Sequence, residues 1–280
     1  MKISKTIKNI INSTIKDDCR GMAAEMAFNL TLAVFPFLIS VTAIFGMFGT
    51  PDVINKIFNF FGNIAPSTVL NMLKDTLNAI IHPSFGGLFI LGLISGLFIA
   101  SNAVFVLMKV LNKAYGVAET RSFWQLRGIS ILVILIFIFA VFFVTNVVIL
   151  GNIILSFLHF KFSFPHALIN IIALTKWPVT FLMISAIGFI IYYFMPNVTS
   201  SFKCRVLSSI PGTIFFTSSW LLVSKLFGLY VENFGDYNRV YGTLGAFIVL
   251  LLWFYYSSLI LLIGGEINSE VYKQIKNKNN

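Results

Sequence analysis

Charge is what this sequence has least of. Asp, Glu, Lys and Arg make up 11% of 280 residues, where a soluble domain carries about a quarter. Only ten residues are acidic, and they are scattered, with Asp17-Asp18 the one adjoining pair. No carboxylate set of the kind a metal-dependent nuclease uses can be read from that spacing. Three histidines (His82, His159, His166) and two cysteines (Cys19, Cys204) form no HxH, HExxH or CxxC arrangement, and a zinc site needs three or four well-placed ligands. A GxxxxGKS/T phosphate loop and a GxSxG nucleophile turn are also missing. No metal, no cofactor and no enzyme chemistry is expected. The basic N-terminus lacks a short apolar core followed by a cleavage site, so no removable signal peptide is read there.

What the chain does have is grease: 58% of its residues are hydrophobic, and they fall in long runs. About 20 apolar residues carry a helix across a 30 Å hydrocarbon slab. The runs predict an all-α polytopic membrane protein with six spans at about 28–48, 87–108, 128–158, 178–194, 206–231 and 244–264. Residues 1–27 place Ile3, Ile7, Ile10, Ile11 and Ile15 at helical spacing with Lys2, Lys5, Lys8 and Lys16 elsewhere on the wheel, an amphipathic interfacial pattern. The loop 49–86 is expected to hold short helices on the outer surface, and 265–280 reads as a basic tail. Pro36 and Pro211 each remove a backbone hydrogen bond and favour a kink. Gly92, Gly96 and Ala100 form a small-residue face for close helix packing, within the chain or between copies in a homo-oligomer.

Lys and Arg accumulate on cytoplasmic flanks of membrane helices. Residues 1–27, 109–127, 195–205 and 265–280 hold fourteen of the twenty, the alternate loops five, and Lys225 lies inside the fifth span. Both termini are therefore expected in the cytoplasm, as are Cys19 and Cys204, which argues against a structural disulfide. The same placement reassigns the net charge of +10. Cations on inner-leaflet flanks imply anionic lipid headgroups as partners, not nucleic acid.

Ionisable groups at membrane depth are functional candidates by default. Glu25, Lys109 and Glu266, with Asn29 and Asn112, define a candidate inner polar cluster. Its sharp reading is an entrance for an amphiphile headgroup, and its bland one is interface anchoring and capping. Lys225, Glu232, Asp236, Asn238 and Arg239 define a candidate outer patch, with Gly235 and Gly242 supplying turns in a tight loop over 232–243. Asn102, Asn146, Thr217, Ser218, Ser219 and Ser224 either line a cavity or bond between helices.

The stretch LYVENFGDYNRVYGTLGAF from Leu229 to Phe247, followed by Gly264-Gly265-Glu266-Ile267-Asn268, resembles the signature of the YihY/BrkB membrane proteins, once labelled ribonuclease BN. Ala23-Ala24-Glu25-Met26-Ala27 with Phe35-Pro36, Leu111-Asn112-Lys113-Ala114-Tyr115-Gly116 and Phe194-Met195-Pro196-Asn197-Val198 agree with it in order along the chain. The resemblance implies a bacterial inner-membrane protein linked to moving lipopolysaccharide or other amphiphiles, with the nuclease label a misassignment. Movement or handling of a lipid, a scaffold that docks a partner or organises anionic lipid, and a ribonuclease are the three readings carried forward.

Overall fold

The computed structural model describes residues 2–48, 86–140, 166–233 and 235–279. Among them the chain forms seven helices and no strand: α1 (Lys2–Lys16), α2 (Cys19–Phe48), α3 (Gly86–Tyr115), α4 (Phe123–Ala140), α5 (His166–Phe194), α6 (Phe202–Asn233) and α7 (Gly235–Asn279). Five segments are long and apolar enough to cross a membrane: Cys19–Ser40, Gly87–Tyr115, Phe123–Ala140, Phe202–Tyr230 and Phe247–Asn277. The apolar stretch Pro178–Phe194 belongs to a sixth long helix, α5. Leu91, Ile94, Leu132, Phe139, Leu182 and Leu222 are each more than half exposed. In water such faces would drive association, whereas lipid tails are their natural solvent. The protein is an all-α polytopic membrane protein.

Local chemistry fixes the helix ends. Asp18 takes φ 51°, a left-handed conformation that Asp tolerates better than most residues, and so stops α1. Its carboxylate then accepts the Gly21 N–H at 3.2 Å, which makes Asp18 the N-cap of α2. Gly116, at φ 67°, closes α3: its N–H donates to Lys113 O at 3.1 Å and that of Val117 to Asn112 O at 3.0 Å, the paired bonds of a glycine C-cap. Ser122 opens α4 in a capping box with Gln125. The Ser122 N–H donates to Gln125 Oε1 at 2.9 Å and the Gln125 N–H to Ser122 Oγ at 3.4 Å. Ser201 caps α6 through the Cys204 N–H.

The chain divides into two compact units, residues 29–100 and the remainder. In the smaller one, a Cβ on Gly92 would lie 2.7 Å from Pro36 O and Ser40 Oγ, and one on Gly96 3.4 Å from Phe37 N. The Gly92-Gly96 face is therefore packed backbone-close against α2, and Ala100 beside it is buried. In the larger unit α6 packs against both α5 and α7, and α1 lies on α7. There Asn9 Nδ2 donates to Glu270 Oε1 at 3.1 Å and Gln274 Nε2 to Thr6 Oγ1 at 3.0 Å, while Ile7, Ile11 and Ile15 stay exposed.

Several boundaries differ from the sequence expectations. α5 begins at His166, twelve residues before the expected span, and runs through Pro178, while α2 and α6 contain Pro36 and Pro211 as their expected spans do. The expected loop over 232–243 is helical from Gly235 onward. The helix that carries the sixth expected span does not stop at Gly264 but continues without a break to Asn279. Glu266, Asn268 and Ser269 look like the end of a span in sequence, yet neighbouring helices bury all three. The expected surface helices of 49–86 and the far part of the third span lie outside the described residues, together with Asn146, His82 and His159.

Candidate functional site

Glycines create the framework of the larger unit. A Cβ on Gly212 of α6 would collide with Gly264 O of α7, and one on Gly264 would collide with the Tyr192 hydroxyl of α5. α6 and α7 thus meet with backbone nearly touching backbone, and α5 reaches the same point through the Tyr192 side chain. The Tyr192 O–H donates to Leu261 O at 2.7 Å. Pro211 has already interrupted the α6 ladder, and the next N–H, from Gly212, donates to the buried Asn268 Oδ1 at 2.6 Å. Glu266, also fully buried, faces the thiol of Cys19 at 3.8 Å with Asp17 close by. Both cysteines are buried free thiols.

Beside this framework the helix connections are locked together by a network centred on Asn112. Its Nδ2 donates to Glu119 Oε2 at 2.6 Å and its Oδ1 accepts the Asn197 N–H at 2.8 Å. Asn197 Nδ2 donates to Ala118 O and Thr120 Oγ1 at 3.0 and 2.8 Å. Arg121 grips Glu119 through Nε and a terminal nitrogen at 2.8 and 2.6 Å and also reaches Met195 O at 2.9 Å. The Arg121 guanidinium hydrogen-bonded to Glu119 holds that carboxyl well below the ordinary range, at about 2, despite partial burial.

This network forms one wall of a cleft of about 380 Å³ lined by Phe105, Met108, Lys109, Asn112, Lys113, Val117, Glu119 and Leu126. Its floor is apolar, and its rim carries two exposed ammonium groups one helical turn apart, on Lys109 and Lys113. Lys113 also ties down the end of α1, with its Nζ 3.3 Å from Lys16 O and 3.6 Å from Asp17 Oδ1.

Of the residues singled out in sequence, Lys109 and Asn112 share this cleft. Glu266 instead faces Cys19, and Glu25 is exposed on α2. Asn29 belongs to the smaller unit. Lys225 is exposed, and the side chains of Glu232, Asp236, Asn238 and Arg239 lie outside the described set. Asn102 accepts Arg127 Nη1 at 2.9 Å, and the same nitrogen donates to Ser101 Oγ. Thr217 Oγ1 accepts the Ser185 hydroxyl at 3.1 Å. Sequence reasoning missed Arg127, Glu119, Arg121 and Asn197. For Asn197 a signal existed, since it and Asn112 each follow the end of a span within one of the family segments.

The sequence model of the family described as virulence factor BrkB matches residues 10–280. The ribonuclease-like protein YfkH of Bacillus subtilis (strain 168) is 29% identical over 273 residues, 96% of each chain. A UPF0761 membrane protein of Legionella pneumophila (strain Corby) is 26% identical over 273 residues, 94% of this chain and 60% of that protein. One from Pseudoalteromonas translucida is 36% identical over 87 residues, 31% of this chain and 28% of that protein. The chain therefore spans nearly all of the first and a little over half of the second. No solved structure matches it.

Proposed function

The chain belongs to the BrkB family, and from that premise we propose that it handles an anionic amphiphile in a bacterial cytoplasmic membrane, taking the headgroup into the Lys109–Lys113 cleft. The carrying observation is the cleft itself, where an apolar floor of Phe105, Met108 and Leu126 sits beside two ammonium groups. A soluble anion has no use for such a floor, and a neutral lipid has no use for such a rim.

The depth fits. Gly87–Tyr115 is 29 residues long, about 44 Å at 1.5 Å per residue, against about 30 Å of hydrocarbon. Its last turns, which carry Lys109 and Lys113, reach headgroup level. Phe123, Trp124, Phe194 and Phe202, all more than half exposed, lie at the same ends of their helices, as an interfacial aromatic belt does. The Lys and Arg distribution supports a cytoplasmic location for this end and for both termini. A ribonuclease finds no comparable support: among the described residues no three His, Cys, Asp or Glu side chains group as a metal would require.

The test is reconstitution in liposomes with a fluorescent anionic lipid or lipopolysaccharide precursor. Wild type should move or retain the probe several-fold above protein-free vesicles, and K109Q/K113Q should fall toward that background. If wild type leaves both lipid scrambling and amphiphile flux at background, and binds no anionic lipid, the reading is lost.

A further inference from the structure

The cleft wall holds a carboxylate, and its occupancy narrows what the cleft accepts. A carboxylate offers about four acceptor positions. On Glu119 all four are taken: Oε1 by Arg121 Nε and the Arg121 N–H, at 2.8 and 3.0 Å, and Oε2 by Arg121 Nη2 and Asn112 Nδ2, both at 2.6 Å. The carbonyl of the Asn112 amide is taken by the Asn197 N–H. An ammonium headgroup entering the cleft therefore meets no open acceptor position on Glu119 and only the second lone pair of the uncharged Asn112 carbonyl, and the charge of Glu119 is already matched by Arg121.

What remains facing a ligand is the pair Lys109 and Lys113, whose Cβ atoms as i, i+4 neighbours stand about 5–6 Å apart. Lys113 is partly engaged, 3.6 Å from Asp17 Oδ1 and 3.3 Å from Lys16 O. A headgroup with one negative charge is served by Lys109 alone and leaves Lys113 with Asp17. Two charges on one group are needed to draw both ammonium groups together against that competition.

We infer that the cleft selects amphiphiles whose headgroup ends in a phosphomonoester, a dianion on apolar chains, over phosphodiester and ammonium-bearing lipids. The inference rests on the reading of the cleft as a headgroup site and names the class that site takes. The phosphate bridges Lys109 and Lys113, and the chains leave over Phe105, Met108 and Leu126.

The full-length protein in detergent, titrated by native mass spectrometry, tests it with lipids of identical acyl chains. At pH 8 phosphatidic acid should bind at least tenfold more tightly than phosphatidylglycerol, with phosphatidylethanolamine weakest. At pH 5 the advantage should vanish, because the second phosphate ionisation lies near 6. The groups around the lysines are Asp17 with its neighbour Glu266, and Glu119 with Arg121. Phosphatidylglycerol keeps one charge throughout that range and so reports any titration of the protein itself. K109Q should bring phosphatidic acid down to the phosphatidylglycerol level; it is read before K113Q because Lys113 also holds α1.

Equal affinity of the two acidic lipids for wild type, both weakened by K109Q, overturns the phosphomonoester selection and leaves the headgroup reading standing. Indifference of every lipid to K109Q and K113Q overturns both. Glycerol 3-phosphate, the same phosphate without chains, should bind at least a hundredfold more weakly than phosphatidic acid. Equal binding makes this a soluble-phosphate site and overturns the lipid assignment.

Discussion

Replacing Gly264 by alanine probes the three-helix crossing with a single methyl group. That methyl would overlap the Tyr192 hydroxyl and lie 3.0 Å from both Gly212 O and Tyr192 Cζ. The Gly212 oxygen is backbone and cannot swing aside, so the Tyr192 ring, only 1% exposed, has to move. Overpacking of this kind costs about 1–3 kcal/mol. The displaced hydroxyl also loses its 2.7 Å bond to Leu261 O, and a buried polar group left without its partner costs about 1–3 kcal/mol more. G264A should thus destabilise the protein by about 2–6 kcal/mol. Tyr192→Phe alone removes one net hydrogen bond, about 1 kcal/mol, and also removes the closest of the three atoms the methyl would meet. In a double-mutant cycle of denaturant unfolding in detergent, Y192F/G264A should be more stable than the two single losses added together, by at least about 1 kcal/mol. Additive or worse-than-additive losses would refute the crossing geometry.

E119Q, G92A and G87A carry three further outcomes. Glu119 titrates at about 2 in the folded protein against 4.5 for the free side chain. Its contribution to stability is therefore complete above pH 4.5 and disappears as pH falls toward 2, so E119Q should flatten the acid limb of a stability profile between those values while lowering the plateau at neutral pH. In the smaller unit, G92A should cost about 1–3 kcal/mol, because the new Cβ meets the Pro36 carbonyl. G87A, where nothing lies within 4 Å, should be neutral or slightly stabilising, both variants being read by denaturant unfolding in detergent.

The helices were readable from sequence because each apolar run is a local property: the solvent it requires is decided by its own twenty residues. Gly92, Gly96 and Ala100 were readable as a small face for the same reason, since spacing alone puts them on one side of α3. The ends were not. Glu266, Asn268 and Ser269 are polar enough to suggest an exit from the membrane, and only the arrival of α6 and α2 makes them interior. The candidate site was half legible. Lys109 and Asn112 could be found from their depth along α3, whereas the Glu119–Arg121 pair falls in what reads as an ordinary polar loop. The hydrogen bond from the Asn197 main chain to Asn112 spans 85 residues, a distance no local pattern encodes.

The contact between Gly212 and Gly264 also dictates how this part of the molecule can rearrange. Sliding α7 by one turn, about 5.4 Å, would bring Ile260 or Asn268 to the spot where only a hydrogen atom fits. Translation along the axis is thereby barred. Rotation about the crossing is restrained too, because further along the same pair Trp220 Nε1 donates to Ser257 Oγ at 3.1 Å and the Trp220 and Trp253 rings meet edge to face. α6 and α7 are thereby yoked into one rigid element, and a force applied to either is passed to Tyr192 of α5 through the same joint.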